Sequence, residues 1–336
     1  MLKREPGLDL IRCIALLFVV LFHSFLNNGY YAQPQTGIAM WLAGSLRWLS
    51  VSCIGLFLML TGYLKSEKTD IRACYRGLKA VLAGYLLAAA ISIPVRQFGF
   101  DDVQLFWVWL KRLFGFSAVY YGWYVKMYIG LVLLSPFLNI LLNQLQQTGM
   151  LLLFAGVLLV LTALPGATPL TVAPDYWRTM YPVSYYVLGA VIRRQQPEIK
   201  SWIGIGGALV MALLLGGATV FSTDGTLSDG FTQEFADLWI VIITVCLFVG
   251  LYRIRIGDIF GRVLAWGAGG CYGGYLLSYL LDAWCYGLFP AWKTPEQYPK
   301  LFLCVTIPIF IGSLLAGKLL QKLTDSLLSK GKGAAG

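Results

Sequence analysis

The sequence predicts an all-α integral membrane protein with about ten transmembrane helices. Of its 336 residues, 58% are hydrophobic and 12% are charged, about half the charged fraction of an ordinary soluble domain. The apolar residues form long runs, and a run of about 20 such residues is needed to cross the hydrocarbon core of a bilayer. This composition excludes a disordered chain. The chain has a single histidine, His23, and none of its seven cysteines forms a C-x-x-C pair. We therefore expect no metal site.

Ten apolar runs are long enough to be candidate spans. They cover residues 8–27, 41–64, 76–93, 124–144, 150–164, 179–193, 202–221, 236–252, 262–287 and 301–322. The fifth and sixth are short and carry Pro165 and Pro182 near their ends. We find no repeat and no linker. Residues 1–336 are therefore predicted to form one membrane domain, with a short tail at about 323–336.

The basic residues predict the orientation of these spans. With the N-terminus in the cytosol, 17 of the 26 Lys and Arg residues lie on cytoplasmic segments. Short cytoplasmic loops collect Lys and Arg, so both termini are predicted to be cytoplasmic, in a plasma (inner) membrane. A cleaved signal peptide is the alternative for the first span. The first span, however, is longer than a signal core and contains Asp9, Arg12 and His23.

The sequence patterns of two further segments predict their local structure. Residues 101–116 are amphipathic and are predicted to lie at a membrane interface. The glycines of 267–274 predict close helix packing or a broken helix, and no Lys-Ser/Thr follows them as in a phosphate-binding loop. The net charge of +10 is spread over loops between spans, which argues against a nucleic-acid partner.

The first span carries the strongest functional signal. Arg12 and His23 are eleven residues apart, within about 20° of a whole number of helical turns, so they share one face roughly 16 Å apart. Asp9 lies one turn before Arg12 and can pair with it, and Asn27 lies one turn after His23. Ionisable residues inside a span are costly and usually face a protein interior or a water-filled cavity.

This stripe has two interpretations. Arg12 can extend to the inner surface while His23 bonds a neighbouring carbonyl, which would make both structural. Alternatively, His23 is a general base, because imidazole exchanges protons near neutral pH. Arg12 would then hold an anionic cytosolic cosubstrate whose reactive end reaches His23.

Other polar residues lie near the predicted span ends. Lys126 follows Trp123 and Tyr124, where it either extends to the interface within an aromatic belt or serves as an acceptor-site cation. We assign these three residues and Asn27 to acceptor binding.

Three more charged residues need an assignment. Arg47 stands in an apolar run and is assigned to the same interior as Arg12. Asp237 and Asp282 stand near outer helix ends, where solvation accounts for them.

These residues resemble the membrane-bound acyltransferase 3 family of bacterial O-acyltransferases. The first helix of that family carries an Asp, an Arg, ten residues and a His, as in Asp9, Arg12 and His23 here. Thr61-Gly62-Tyr63 is similar to the family's second-helix ending. Residues 122–136 and 184–190 are similar to its fourth and sixth spans, so the likeness extends over most of the chain.

The resemblance implies transfer of an acyl group, usually acetyl from cytosolic acetyl-CoA, to a hydroxyl of a cell-envelope glycan or related acceptor. It implies that His23 is catalytic, that Arg12 binds the acyl-CoA and that Asp9 orients that end of the site. We add Arg47 to the acyl-CoA site. Acetyl-CoA is then a cosubstrate, and no cofactor is permanently bound.

The alternative is a transporter or flippase in which His23 relays protons and Arg12 binds an anionic substrate. A narrow cytosolic tunnel ending at His23 favours acyl transfer. A wide cavity in the middle of the membrane between two repeated halves favours transport.

Overall fold

The computed structural model describes residues 5–166, 173–222, 235–288 and 294–333. Within these ranges the chain folds into helices and contains no strand. The longer helices follow the apolar runs, since a helix satisfies all its backbone hydrogen bonds internally in lipid. The helices are α1 (Pro6–Asn27), α2 (Gly37–Val51), α3 (Cys53–Lys65), α4 (Ile71–Tyr75), α5 (Leu78–Gly99), α6 (Phe106–Phe114), α7 (Trp123–Gln144), α8 (Thr148–Thr162), α9 (Tyr181–Gln195), α10 (Ser201–Ser222), α11 (Leu238–Leu251), α12 (Asp258–Leu288), α13 (Tyr298–Leu301) and α14 (Ile307–Gly333).

Among the described residues, six helical segments are long and apolar enough to cross a membrane. They are Pro6–Asn27, Gly37–Lys65, Ile71–Gly99, Trp123–Gln144, Ser201–Phe221 and Pro295–Ser329. Two shorter apolar helices, α8 and α11, accompany them. The prediction of an all-helical, multi-pass membrane protein is confirmed, whereas the count of ten and the cytoplasmic position of the termini stay predictions.

The two short predicted spans are helices, and each has one end that is set by a nearby proline. Helix α8 ends at Thr162, before Pro165, and α9 begins at Tyr181 with Pro182 in its first turn. Proline is accepted there because the first backbone N–H groups of a helix have no partner inside it. Helix α9 is 15 residues long, and it packs against α3.

Helix α1 lies at the centre of the bundle. It packs against α2, α3 and α12, while α12 in turn packs along α14 and α10 packs between α2 and α11. Asp9 in this stripe is therefore buried and Arg12 and His23 are half-buried, as the cost of ionisable groups in lipid requires, whereas Asn27 is exposed.

Several helix pairs approach closely through glycine, among them α9 with α3 and α14 with α12. A Cβ on Gly189 of α9 would lie 2.0 Å from the carbonyl oxygen of Met59 in α3. A Cβ on Gly317 of α14 would lie 2.0 Å from the carbonyl oxygen of Gly270 in α12. The glycines of 267–274 therefore permit close packing of a continuous helix, one of the two outcomes their pattern predicts.

The amphipathic segment at 101–116 contains helix α6, which is shorter than the predicted range. Trp109 is buried, whereas Phe106, Trp107 and Phe114 are each at least 70% exposed. Asp102 accepts from Arg96 at 2.6 Å and from Arg112 at 2.8 Å, and these ion pairs tie the segment to α5. Burial raises the pKa of Asp102, but the hydrogen bonds and charges of the two arginines outweigh it and hold that pKa below its usual value.

Candidate active site

The polar stripe of α1 begins with an ion pair. The Arg12 guanidinium donates to an Asp9 carboxylate oxygen at 2.6 Å, and Asp9 is 1% exposed. This pairing confirms the contact that their three-residue spacing predicts. The carboxylate neutralises part of the guanidinium charge and holds its direction, and the guanidinium keeps further N–H groups for a ligand.

Arg12 lines a cavity of about 270 Å³ between α1, α3, α5, α7 and α12. A second cation, Lys65 at the end of α3, lines the same cavity, and its ammonium lies 5.6 Å from the Tyr128 ring centroid. Most of the remaining wall is apolar or aromatic. It is formed by Phe57, Leu60, Thr61, Leu64, Val81, Tyr124, Val125, Ala268, Cys271, Tyr272 and Tyr275. An apolar chamber with two cations suits an elongated ligand that has an anionic end.

His23 lies further along α1, in a different environment. Its Nδ1 is 2.8 Å from the carbonyl oxygen of Val19, one turn earlier. A carbonyl oxygen only accepts, so Nδ1 carries the proton and Nε2 holds the basic lone pair. The imidazole stacks on the Tyr121 ring, with centroids 4.0 Å apart and planes at 21°. These contacts set the direction of Nε2.

Asp282 of α12 lies behind Tyr121. The Tyr121 hydroxyl donates to one carboxylate oxygen of Asp282 at 3.0 Å, and the other oxygen, Oδ1, is buried without a partner. Asp282 is 1% exposed, so assigning it to a solvated helix end was wrong. Asp237 is likewise buried and accepts from Arg178 at 2.8 Å. Both carboxylates find partners on distant helices or loops, which no local pattern specifies.

An aromatic wall separates the Arg12 cavity from His23. Tyr124 and Tyr275 line the cavity and touch each other, with centroids 5.2 Å apart. Tyr275 also donates its hydroxyl to the backbone oxygen of Tyr121, the ring on which His23 stacks. We call Tyr121, Tyr124 and Tyr275 the tyrosine wall. His23 does not line the cavity, so the structure places the two ends of the stripe on opposite sides of this wall.

The residues assigned to acceptor binding do not form one cluster. Tyr124 lines the Arg12 cavity. Trp123 is 40% exposed and stacks on Phe235, and Asn27 and Lys126 are exposed. The neighbouring Asn28, rather than Asn27, is buried, and it donates to the backbone oxygen of Ser24. An acceptor role for Asn27, Trp123 and Lys126 stays a prediction.

Arg47 is buried, as its apolar flanks suggest, but it does not line the Arg12 cavity. Its guanidinium carbon lies 5.0 Å from the ring centroids of both Phe22 and Tyr31. Phe22 is the immediate neighbour of His23, and their rings meet edge to face. Arg47 is therefore associated with the His23 end of the stripe, whereas Lys65 is the second cation at the Arg12 end.

A family model for an acyltransferase domain matches residues 5–318, nearly the whole chain. The chain belongs to the acyltransferase 3 family. No curated protein and no solved structure matches it significantly. The matched range includes Asp9, Arg12, His23 and every residue of the tyrosine wall. Membership supports a membrane acyltransferase and agrees with the resemblance carried by the first helix.

Sequence reasoning missed Lys65, Tyr121, Tyr275 and Asp282 as residues of the site. Lys65 is one of the 17 cations that the sequence places on cytoplasmic segments, which gives it no role in the site. Tyr121 and Asp282 are 161 positions apart in the chain. A carboxylate inside a predicted span was an available signal for Asp282, since such groups mark functional or paired positions.

Proposed function

We propose that this protein is an O-acyltransferase of the plasma (inner) membrane with both termini in the cytosol. It moves an acyl group, most simply acetyl, from cytosolic acyl-CoA to a hydroxyl of a cell-envelope glycan or related acceptor. The observation that carries this proposal is the arrangement along α1. A cationic cavity at Arg12 and an imidazole with a free Nε2 lie on one helix, on opposite sides of the tyrosine wall.

The Arg12 cavity suits the arm of acyl-CoA. Pockets that enclose whole drug-sized ligands measure about 300–1,000 Å³, and this cavity is about 270 Å³. In our proposal it therefore holds the thioester arm, while Arg12 and Lys65 contact phosphate oxygens of CoA at its mouth. Arginine binds phosphate through its planar set of donors, and lysine binds it as a point charge. The cavity does not include Arg47, so we leave Arg47 out of this docking step.

His23 is the general base of the proposed reaction. The acceptor oxygen attacks the thioester carbonyl carbon as Nε2 takes the hydroxyl proton. The C–S bond then breaks, the CoA sulfur leaves and takes up the proton from His23, and the acceptor carries the new ester. The acyl end must pass the tyrosine wall to meet Nε2, so movement of Tyr124 or Tyr275 is part of this proposal.

Asp282 and Tyr121 support His23 in this scheme. Tyr121 presents its ring to the imidazole and its hydroxyl to Asp282. A buried carboxylate stabilises the imidazolium that forms during proton transfer by a through-space charge effect. The unpartnered Oδ1 of Asp282 is available to accept a hydrogen bond from an acceptor hydroxyl.

The test is acetyl-CoA turnover by the purified protein in lipid nanodiscs, with a crude envelope-glycan fraction as acceptor. We expect His23→Ala to lose at least a hundredfold in rate, the lower end for a removed general base. Arg253→Gln, at an exposed ion pair with Glu198, is the control and should keep wild-type turnover. Wild-type turnover in folded His23→Ala would refute the assignment.

Transport, the alternative that the same two side chains suggest, has less support. The Arg12 cavity does not reach His23, so it is not the cytosolic tunnel ending at His23 that favours acyl transfer, and the cavity alone does not separate the two functions. A transporter needs a substrate site near the middle of the membrane that opens to both sides. The acyltransferase family supports the enzyme.

A further inference from the structure

Arg47 is a buried cation on α2. The residue is 4% exposed, and its guanidinium lies between the rings of Phe22 and Tyr31. Its Nε and one terminal nitrogen donate to the Tyr31 hydroxyl. The other terminal nitrogen, Nη1, is buried and has no hydrogen-bond partner.

Arg47 is buried and, among the described residues, has no carboxylate partner, unlike Arg12, Arg96 and Arg178. Arg12 pairs with Asp9, Arg96 with Asp102 and Arg178 with Asp237. Within the described part of the chain, no carboxylate lies within ion-pair distance of Arg47, and its hydrogen-bond partner is a neutral phenol. A buried charge without a counter-charge is strongly unfavourable. The missing counter-charge points to a ligand that supplies one.

Tyr30 adds a second unsatisfied donor against the same helix, because its hydroxyl lies 3.1 Å from a Cβ built on Gly44, one turn before Arg47. Tyr30 is fully buried, and its hydroxyl has no hydrogen-bond partner. Burial raises the pKa of Tyr30, and the positive charge of Arg47 opposes that rise. The phenol therefore keeps its proton and faces the field of Arg47 as a donor. An oxygen anion can accept from both groups.

The position of Arg47 connects it to the proposed chemistry. The Phe22 ring contacts the guanidinium on one side and the His23 ring, 5.4 Å away, on the other. Tyr31, which covers the guanidinium, is 43% exposed. Its hydroxyl is thus a partner that an incoming group can displace without dismantling the helix core.

We propose that Arg47 and Tyr30 bind an oxygen anion, a carboxylate or phosphate group, on the acyl acceptor. The acceptor is then an acidic or phosphorylated glycan. This inference rests on the proposed acyltransferase function, because it takes the His23 end of the stripe as the acceptor side. The anion replaces the Tyr31 hydroxyl, takes the Nη1 donor and holds a hydroxyl of the same acceptor toward His23.

Binding tests this site without any acyl transfer. The full chain is placed in phosphatidylcholine nanodiscs, and the Kd values of D-glucuronate, D-glucose and inorganic phosphate are measured by calorimetry. Glucuronate and glucose differ at one carbon, which bears a carboxylate in place of a hydroxymethyl group. We expect glucuronate or phosphate to bind at least tenfold more tightly than glucose.

Variants assign that preference to Arg47. Arg47→Gln should weaken binding of the anion at least tenfold, and Arg253→Gln should leave it unchanged. Tyr31→Phe, which removes the competing hydroxyl, should keep or tighten anion binding. If Arg47→Gln does not fold, Arg47→Lys keeps the charge and must still prefer the anion to glucose, with weaker affinity.

Three results would overturn the inference. The first is equal binding of glucose and both anions by the wild type. The second is an Arg47→Gln protein that retains wild-type anion affinity. The third is competition between phosphatidylglycerol in the nanodisc and glucuronate that occurs in the wild type but not in Arg47→Gln. A lipid headgroup would then be the occupant of the Arg47 site. The His23→Ala variant should keep wild-type anion affinity. Failure of the proposed acyl transfer and failure of the proposed anion site can therefore be distinguished.

Discussion

The contact between α3 and α9 depends on Gly189 having no side chain. An added Cβ would lie 2.0 Å from the Met59 carbonyl oxygen and 2.9 Å from the Tyr63 nitrogen. Carbon atoms in contact keep about 3.5–4.0 Å, so Gly189→Ala must push the helices apart by roughly 1 Å or more. Both neighbours are backbone atoms and cannot rotate away. Helix α3 carries Thr61 and Lys65 of the Arg12 cavity, so the displacement reaches the site.

The expected cost follows from two opposed effects. Overpacking of this kind destabilises by about 1–3 kcal/mol, and we take the upper end because backbone must move. Alanine is favoured over glycine in a helix by about 0.8–1.0 kcal/mol. The net loss is about 2 kcal/mol. At an unfolding entropy of about 2.1 cal/mol/K per residue, a chain of 336 residues shifts by about 1.4 °C per kcal/mol, so the unfolding midpoint should fall by about 3 °C.

Thermal unfolding in one detergent, followed by intrinsic tryptophan fluorescence, measures this shift. The matched control is Gly156→Ala on α8, where an added Cβ has no atom within 4 Å. Only the preference of a helix for alanine over glycine applies there, so its unfolding midpoint should rise by about 1 °C. A Gly189→Ala midpoint equal to or above that of the wild type would refute the close α3–α9 contact.

Two further predictions concern charges. Lys65→Gln should raise the KM for acetyl-CoA by about tenfold with little change in kcat, because one charge-assisted phosphate contact is worth roughly 1.5 kcal/mol. The exposed Lys79→Gln is its control, and an unchanged KM in Lys65→Gln would remove Lys65 from the site. The pKa of Asp102 is lowered by Arg96 and Arg112 despite burial. Its stabilising contribution is therefore complete above the ordinary carboxyl pKa of 3.8 and is lost as the pH falls through the lowered value. Between about pH 6 and pH 3 the wild-type midpoint should fall more than that of Asp102→Asn, and parallel curves would contradict the ion-pair network.

Much of the fold was predictable because it depends on local pattern. Each predicted apolar run falls on a helix, and Asp9 pairs with Arg12 as their spacing requires. The amphipathic segment forms a helix over only part of its range. Residues 101–105 have no regular secondary structure, and Asp101, with a φ of 53°, turns the chain so that Asp102 reaches Arg96.

The site was predictable only along α1. Arg12 and His23 share a face because helical geometry repeats over short distances. Nothing local indicates that a wall of tyrosines divides them. Arg47 illustrates the limit of prediction from sequence. Its burial follows from its apolar neighbours in the chain, but its position at the His23 end of the stripe depends on how the helices pack.

Sequence alone determined that this chain is helical, that it belongs in lipid and that Asp9, Arg12 and His23 lie on one helix. Those properties follow from the free-energy cost of moving backbone groups and charges out of water, which can be evaluated for each residue from the sequence. The tertiary structure decided which cation shares the cavity with Arg12, which carboxylate lies behind His23 and which arginine lacks a counter-charge. These depend on contacts such as Tyr121 with Asp282, 161 positions apart. Such contacts form because the segment before α7 and helix α12 both lie against α1, Tyr121 through its stacking on His23, so the partners are set by packing rather than by distance along the chain.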